Sequence, residues 1–84
     1  MKFEVQINVM PQRALLDPQG KAVLGTIQQL EYTNVEEVRI GKHIVLIVEA
    51  KNENEASRIA GELASRLLSN PVMESFEYSI VPVQ

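Results

Sequence analysis

From Lys2 to Val9 the chain alternates without a break. Phe3, Val5, Ile7 and Val9 fall on one side, and Lys2, Glu4, Gln6 and Asn8 on the other. This period of two predicts a strand with one buried and one wet face, closed by Pro11. From Pro18 the period lengthens. Val23, Ile27 and Leu30 recur at helical spacing and Leu24 widens the stripe, which predicts a helix to about Leu30. Asp17-Pro18 suits its start, because the carboxylate can accept from orphan N–H groups and proline needs no donor at the first position. Tyr32-Thr33-Asn34 leads into two predicted strands, Val35 to Ile40 and His43 to Ala50, around Gly41-Lys42. Glycine first in a two-residue loop fits a type II′ hairpin turn, and a longer bend is the alternative. Asn52 caps a second helix, with Glu55 completing a capping box. Its predicted buried stripe is Ala56, Ile59, Ala60, Leu63 and Leu67, while Glu62 and Arg66 pair outward. Asn70-Pro71 ends it. A last strand, Met73 to Val81, sets Phe76, Tyr78 and Ile80 against Ser75, Glu77 and Ser79.

The predicted order is β-α-β-β-α-β, a single α+β domain over residues 1–84. Right-handed crossovers would make a four-stranded antiparallel sheet with both helices on one face, the ferredoxin-like arrangement. One strand does not fit that picture. Ile44, Val45, Leu46, Ile47 and Val48 are all aliphatic, as in strands covered on both faces. With Gly41-Lys42 as the turn, Val38 pairs with Val45, and Ile44, Leu46 and Val48 lie on the opposite side. One set must look away from the helices. These five residues are therefore the candidates for self-association, as a dimer or a pair of dimers joined through the sheet. Exchange of the last strand between chains is compatible with the same pattern.

Size supports association. A chain of 84 residues hides only about 60–65% of its unfolded surface, so its core is thin. Hydrophobic residues make up 45% and charged residues 23%, which excludes a disordered chain. No apolar run approaches the roughly 18–20 residues that cross a bilayer, and the N-terminus does not resemble a signal peptide. A cytoplasmic location is expected. Eight basic residues scattered among eleven acidic ones, net charge −3, argue against nucleic acid as a partner, and no membrane is expected either.

Candidate chemistry is sparse. Without cysteine there is no thiol catalysis, thiolate metal site or disulfide. His43 is the sole histidine and reads as a partly buried hairpin residue. Ser57, Ser65, Ser69, Ser75 and Ser79 lack a neighbouring base motif. Capping accounts for Asp17, and Glu36-Glu37 reads as a solvated edge. No phosphate-cradling glycine loop occurs, and Gly41-Lys42 reads as a turn. No catalytic residue, metal ligand or cofactor is expected in this chain. Gly20 is the oddity, because glycine inside a helix costs about 0.5–1 kcal/mol relative to alanine.

Three blocks carry a resemblance. They are Leu16-Asp17-Pro18-Gln19-Gly20-Lys21-Ala22-Val23, Val38-Arg39-Ile40-Gly41-Lys42 and Leu67-Leu68-Ser69-Asn70-Pro71-Val72-Met73-Glu74. In this order and spacing they resemble the PurS family, small subunits of phosphoribosylformylglycinamidine synthase. The chain departs from that pattern at Gln12-Arg13-Ala14, at Glu31 in place of a helix-ending glycine, and at Val45 in place of an acidic residue. The resemblance implies a noncatalytic subunit in a glutamine-dependent amidoligase complex of purine biosynthesis. It would join a glutaminase subunit (PurQ) to a synthetase subunit (PurL) that uses ATP and Mg, and aid ammonia transfer between them. The residues it implies for partner contact are Leu15, Leu16, Asp17, Pro18, Gln19, Gly20, Lys21, Arg39 and Lys42, with Asn70 and Pro71. On that reading a bulky residue at Gly20 would weaken assembly and spare the isolated fold. Two other classes share the topology: a regulatory domain that binds a small molecule, and an acylphosphatase-type enzyme. The latter would want a glycine in the loop Pro11-Gln12-Arg13-Ala14.

Overall fold

The alternation at the N-terminus becomes the middle of the sheet. A computed structural model describes residues 1–83, in which β1 (Lys2–Pro11) lies between β2 (Lys42–Glu49) and β3 (Glu74–Val83), antiparallel to both. Phe3, Val5, Ile7 and Val9 are all but completely buried. Their cross-strand neighbours share that face: Val48, Leu46 and Ile44 from β2, and Ile80, Tyr78 and Phe76 from β3. Antiparallel partners stand opposite one another on one side, so one apolar row on β1 selects one row on each flanking strand. The α+β class holds, with three strands in place of four.

The missing strand is Val35–Ile40. It stays outside the sheet, and Gly41-Lys42 is no hairpin turn, since β2 begins at Lys42 and pairs with β1. A type II′ turn requires glycine at positive φ, and no described glycine has one. Gly41 is needed for a different reason: a Cβ there would collide with the Val9 carbonyl oxygen and Met10 Sδ. Within the single chain, β3 pairs with β1 from Glu74 to Val83.

Only α2 (Glu53–Leu63) covers the sheet. Ala56, Ala60 and Ala64 recur every four residues and are fully buried, which lets the helix approach closely. Asn52 Oδ1 accepts from the Glu55 N–H at 2.9 Å, and Glu55 Oε2 accepts from the Lys51 N–H at 3.2 Å. The reciprocal arm of the capping box thus reaches one residue further back than expected. Ser57 Oγ and Tyr78 Oη, 3.0 Å apart, tie α2 to β3. Past Leu63 the helix relaxes into a π-helical turn, Ala64–Leu68. The wider turn keeps the four-residue step, so Leu68 packs on the core and Leu67, expected there, is exposed. Arg58 and Arg66 both pair with Glu62 on the outer surface.

The expected helix α1 (Pro18–Gln29) forms, yet it does not join the layer of α2: of the two helices, only α2 packs substantially on the strands. With its return segment it forms an arm, and the molecule measures 52 × 29 × 14 Å. The arm's far end is closed by a Schellman motif, the Tyr32 N–H donating to Ile27 O and the Glu31 N–H to Gln28 O. Glu31 sits at φ 70, where glycine is the usual occupant. Glu31→Gly should therefore stabilise the end of α1 by about 1 kcal/mol. Because the arm is separate from the core, the gain should appear as roughly fivefold slower amide exchange at Leu30 and Tyr32 rather than as a higher Tm.

Candidate functional site

The residues singled out by the sequence gather where the arm meets the sheet. Asp17 is the joint. Its Oδ1 accepts from the Gly20 N–H at 3.0 Å, capping α1, and its Oδ2 accepts from the Ile40 N–H at 2.9 Å. One carboxylate therefore starts a helix and anchors the segment that returns from it. The Arg39 guanidinium donates to the carbonyl of Pro11, at the end of β1. Gly20 is the one buried residue of α1, and a Cβ there would collide with the carbonyl oxygen of Val38. Its cost within the helix is offset by that close approach inside the same chain. The expectation that its replacement spares the isolated fold is thus corrected, since a side chain there would displace Val38.

A second set of bonds brings in the turn before β3. Asn70 Oδ1 accepts from the Val72 N–H at 3.0 Å, and its backbone N–H donates to Glu74 Oε1 at 2.7 Å. The Gln12 N–H donates to Met73 O at 2.9 Å, pinning the loop after β1 to that turn. Lys42 Nζ lies 3.4 Å from Leu68 O and 4.0 Å from Glu74 Oε2. Leu15, Leu16, Asp17, Pro18, Gln19, Ile40 and Asn70 line one open hollow of about 450 Å³, with Pro11, Met73 and Glu74. An adjoining hollow of about 340 Å³ carries Arg13, Lys21, Glu37 and Arg39.

The predicted contact residues divide by what they do here. Asp17, Gly20, Arg39, Lys42 and Asn70 hold the junction together through their own bonds and packing. Leu15, Leu16, Pro18, Gln19, Lys21 and Pro71 remain exposed around it. Val72 and Met73 add exposed apolar area beside them, which the sequence reading passed over although both stand in its third block. Arg13 was weighed only for an anion-cradling loop and not for partner contact. With Lys21 and Arg39 it makes a positive patch on a chain of net charge −3, and none of the three has an ion pair among the described residues.

No group of three or more His, Cys, Asp or Glu side chains converges to hold a metal among the described residues. His43 is exposed, not partly buried, because β2 turns it to the face without helices. Its Nδ1 lies 2.6 Å from Asn8 Oδ1, the side chain opposite on β1. Of the five self-association candidates, Ile44, Leu46 and Val48 face α2, while Val45 and Ile47 point away at 51% and 59% exposure. Across that bare face Val81 and Val83 are also exposed.

The bonds from Gly20 and then Ile40 hold the Asp17 carboxyl below the usual carboxylate range, with smaller help from the Gln19 N–H and the Arg39 charge. A depressed folded pKa means that this anchor stabilises fully above the unfolded value near 3.9 and is lost as pH falls through the folded one. Acidification below about pH 4 should loosen the base of the arm, seen as faster amide exchange at Gly20 and Ile40. In Asp17→Ala both amides should exchange fast at every pH.

The arrangement matches known proteins over its whole described length. The family model for PurS, phosphoribosylformylglycinamidine (FGAM) synthase, matches residues 4–82. The PurS subunit of phosphoribosylformylglycinamidine synthase from Bacillus subtilis is 33% identical over 81 residues, covering 96% of this chain and 95% of that one. Its Synechocystis counterpart is 38% identical over 82 residues, covering 98% and 82%. Among solved structures, PurLQS from Thermotoga maritima contains a chain that superposes with TM-score 0.87 at 31% identity, covering 96% of this chain and 99% of that one. A Bacillus subtilis PurS crystal structure gives 0.84 at 31% identity, covering 95% and 99%. This chain belongs to the PurS family, the small subunits of phosphoribosylformylglycinamidine synthase.

Proposed function

We propose that this chain is the noncatalytic joining subunit of its synthase, seating a glutaminase of the PurQ kind and a synthetase of the PurL kind in fixed relation. The complex would convert formylglycinamide ribonucleotide to the amidine in the cytoplasm, with glutamine as nitrogen donor and with ATP and Mg at the synthetase. Neutral ammonia diffuses away if the two centres drift apart, so a subunit that fixes their positions matters without touching a reacting atom. The observation that carries this reading is the junction itself. Exposed Leu15, Leu16, Val72 and Met73 surround hollows edged by Arg13 and Lys21. Such a surface suits a partner patch with apolar knobs and carboxylates. The Thermotoga maritima PurLQS structure supports the same reading by analogy.

Self-association belongs to this proposal as well. Val45, Ile47, Val81 and Val83 flank the polar row of β1 on the bare face, and a second sheet laid against them would cover all four.

Leu16→Glu with Met73→Glu should raise the dissociation constant for the synthetase and glutaminase subunits by at least about tenfold. The circular dichroism of the isolated chain should not change, because both side chains are exposed. Reconstitution supplies the functional arm of the test. Glutamine-dependent amidination should appear only when all three subunits are mixed, and should fall with the double variant. Full activity without this chain would refute the joining role.

A further inference from the structure

Of the eight basic side chains, all but Lys42, Arg58 and Arg66 lack an ion pair among the described residues. Three of the unpaired ones, Arg13, Lys21 and Arg39, line one hollow beside the junction. They reach it from separate segments: the loop after β1, the first turn of α1 and the return to β2. On a chain of net charge −3, three unpaired cations around one hollow call for a counter-charge from outside.

The surroundings of the three suit an oxyanion. Arg39 donates to the Pro11 carbonyl, which fixes its guanidinium and leaves further N–H groups of the fork free. The Leu15 N–H closes a turn onto Gln12 O at 3.0 Å, and the Arg13 and Ala14 N–H groups within that turn have no acceptor among the described residues. Two carboxylates also line the hollow. Both oxygens of Asp17 are occupied by the Gly20 and Ile40 N–H groups. Glu37 is exposed, and three cations against two carboxylates leave the hollow positive. Its volume of about 340 Å³ is near the lower end of small-molecule sites, roughly 300–1,000 Å³. A carboxylate would bring two oxygens and one charge. A phosphate group brings three oxygens and a charge of about −1.5 to −2, the better match to two guanidinium forks and an ammonium.

We infer that this hollow binds a phosphate group, as inorganic phosphate or as a phosphate monoester, with Arg13, Lys21 and Arg39 as donors. Arg13 and Arg39 also border a neighbouring hollow of about 350 Å³ that carries Asn8, Ser75 and Glu77. The organic part of a monoester finds hydrogen-bonding groups there, whereas inorganic phosphate needs only the first hollow. The isolated chain carries all of these groups, and the apolar rim at Leu16 and Met73 supplies none of the charge. The site and the joining role therefore fail separately.

Titration of the isotope-labelled chain with sodium phosphate at constant ionic strength tests the site. Amide shifts at Arg13, Ala14, Lys21 and Arg39 should saturate with a dissociation constant in the millimolar range or tighter, and sodium acetate should move them without saturation. Arg13→Gln with Lys21→Gln should raise that constant at least about tenfold. Both side chains are exposed, so circular dichroism should stay the same. Glu37→Gln removes the competing negative charge and should lower the constant about two- to fivefold. Ribose 5-phosphate separates the two sources: tighter binding than inorganic phosphate supports a monoester reaching the second hollow, and weaker binding supports free phosphate. Shifts that saturate with neither phosphate, or an affinity unchanged in the double variant, would overturn the site. Weaker binding of the synthetase and glutaminase subunits by that variant, with no phosphate bound by the parent chain, would assign these cations to a protein partner instead.

Discussion

Asp17 accepts hydrogen bonds from two backbone N–H groups that are far apart in the chain, those of Gly20 and Ile40. Everything distinctive about this molecule follows from that shared acceptor. A carboxylate used only as a cap would leave the direction of the following segment open. Here the second oxygen holds the backbone at Ile40 beside the first turn of α1, and Gly20 provides the gap through which Val38 passes. The segment Val35–Ile40 consequently runs out of the sheet, and α1 is carried with it.

The consequence for packing is a fold with a single helix on its core. Four side chains of β1 and three alanines of the α2 region form the fully buried interior. Alanine at every fourth position brings the helix close but buries little area per residue, which leaves Ile44, Leu46 and Tyr78 partly open. Such an interior is small, and a domain of this size gains from association. The exposed aliphatic residues fall into three groups: the stripe of α1, the bare face of the sheet and the rim of the junction.

The junction also shows how residues occupied inside the chain can shape a surface that, as proposed above, receives partners. Asp17, Arg39 and Asn70 are occupied by internal bonds, and those bonds fix Leu15, Leu16, Val72 and Met73 in place around the hollows. A surface held this way loses little freedom when a partner covers it, which favours binding. Noncatalytic members of an enzyme complex need this property more than they need reactive side chains.

Much of this was legible in the order of the residues. The period of two in β1 and β3, the helical spacing after Pro18 and Asn52, and the Asp17 and Asn52 caps all express local preferences that tertiary contacts reinforce. The three residue blocks pointed to the family and to most of the junction. What they could not convey was long-range. Val35–Ile40 carries three β-branched residues, as a strand would, but the Ile40 N–H is taken by a carboxylate from another part of the chain, and Gly41 never reaches the positive φ of a hairpin. The close approach that Gly20 permits could not be assigned to this chain because its neighbour in space, Val38, is remote in sequence. The π-helical turn shifted burial from Leu67 to Leu68 for a similar reason, since the core it packs on is built from other strands. Local pattern determined which elements exist. Competition for backbone donors by distant side chains decided where they go.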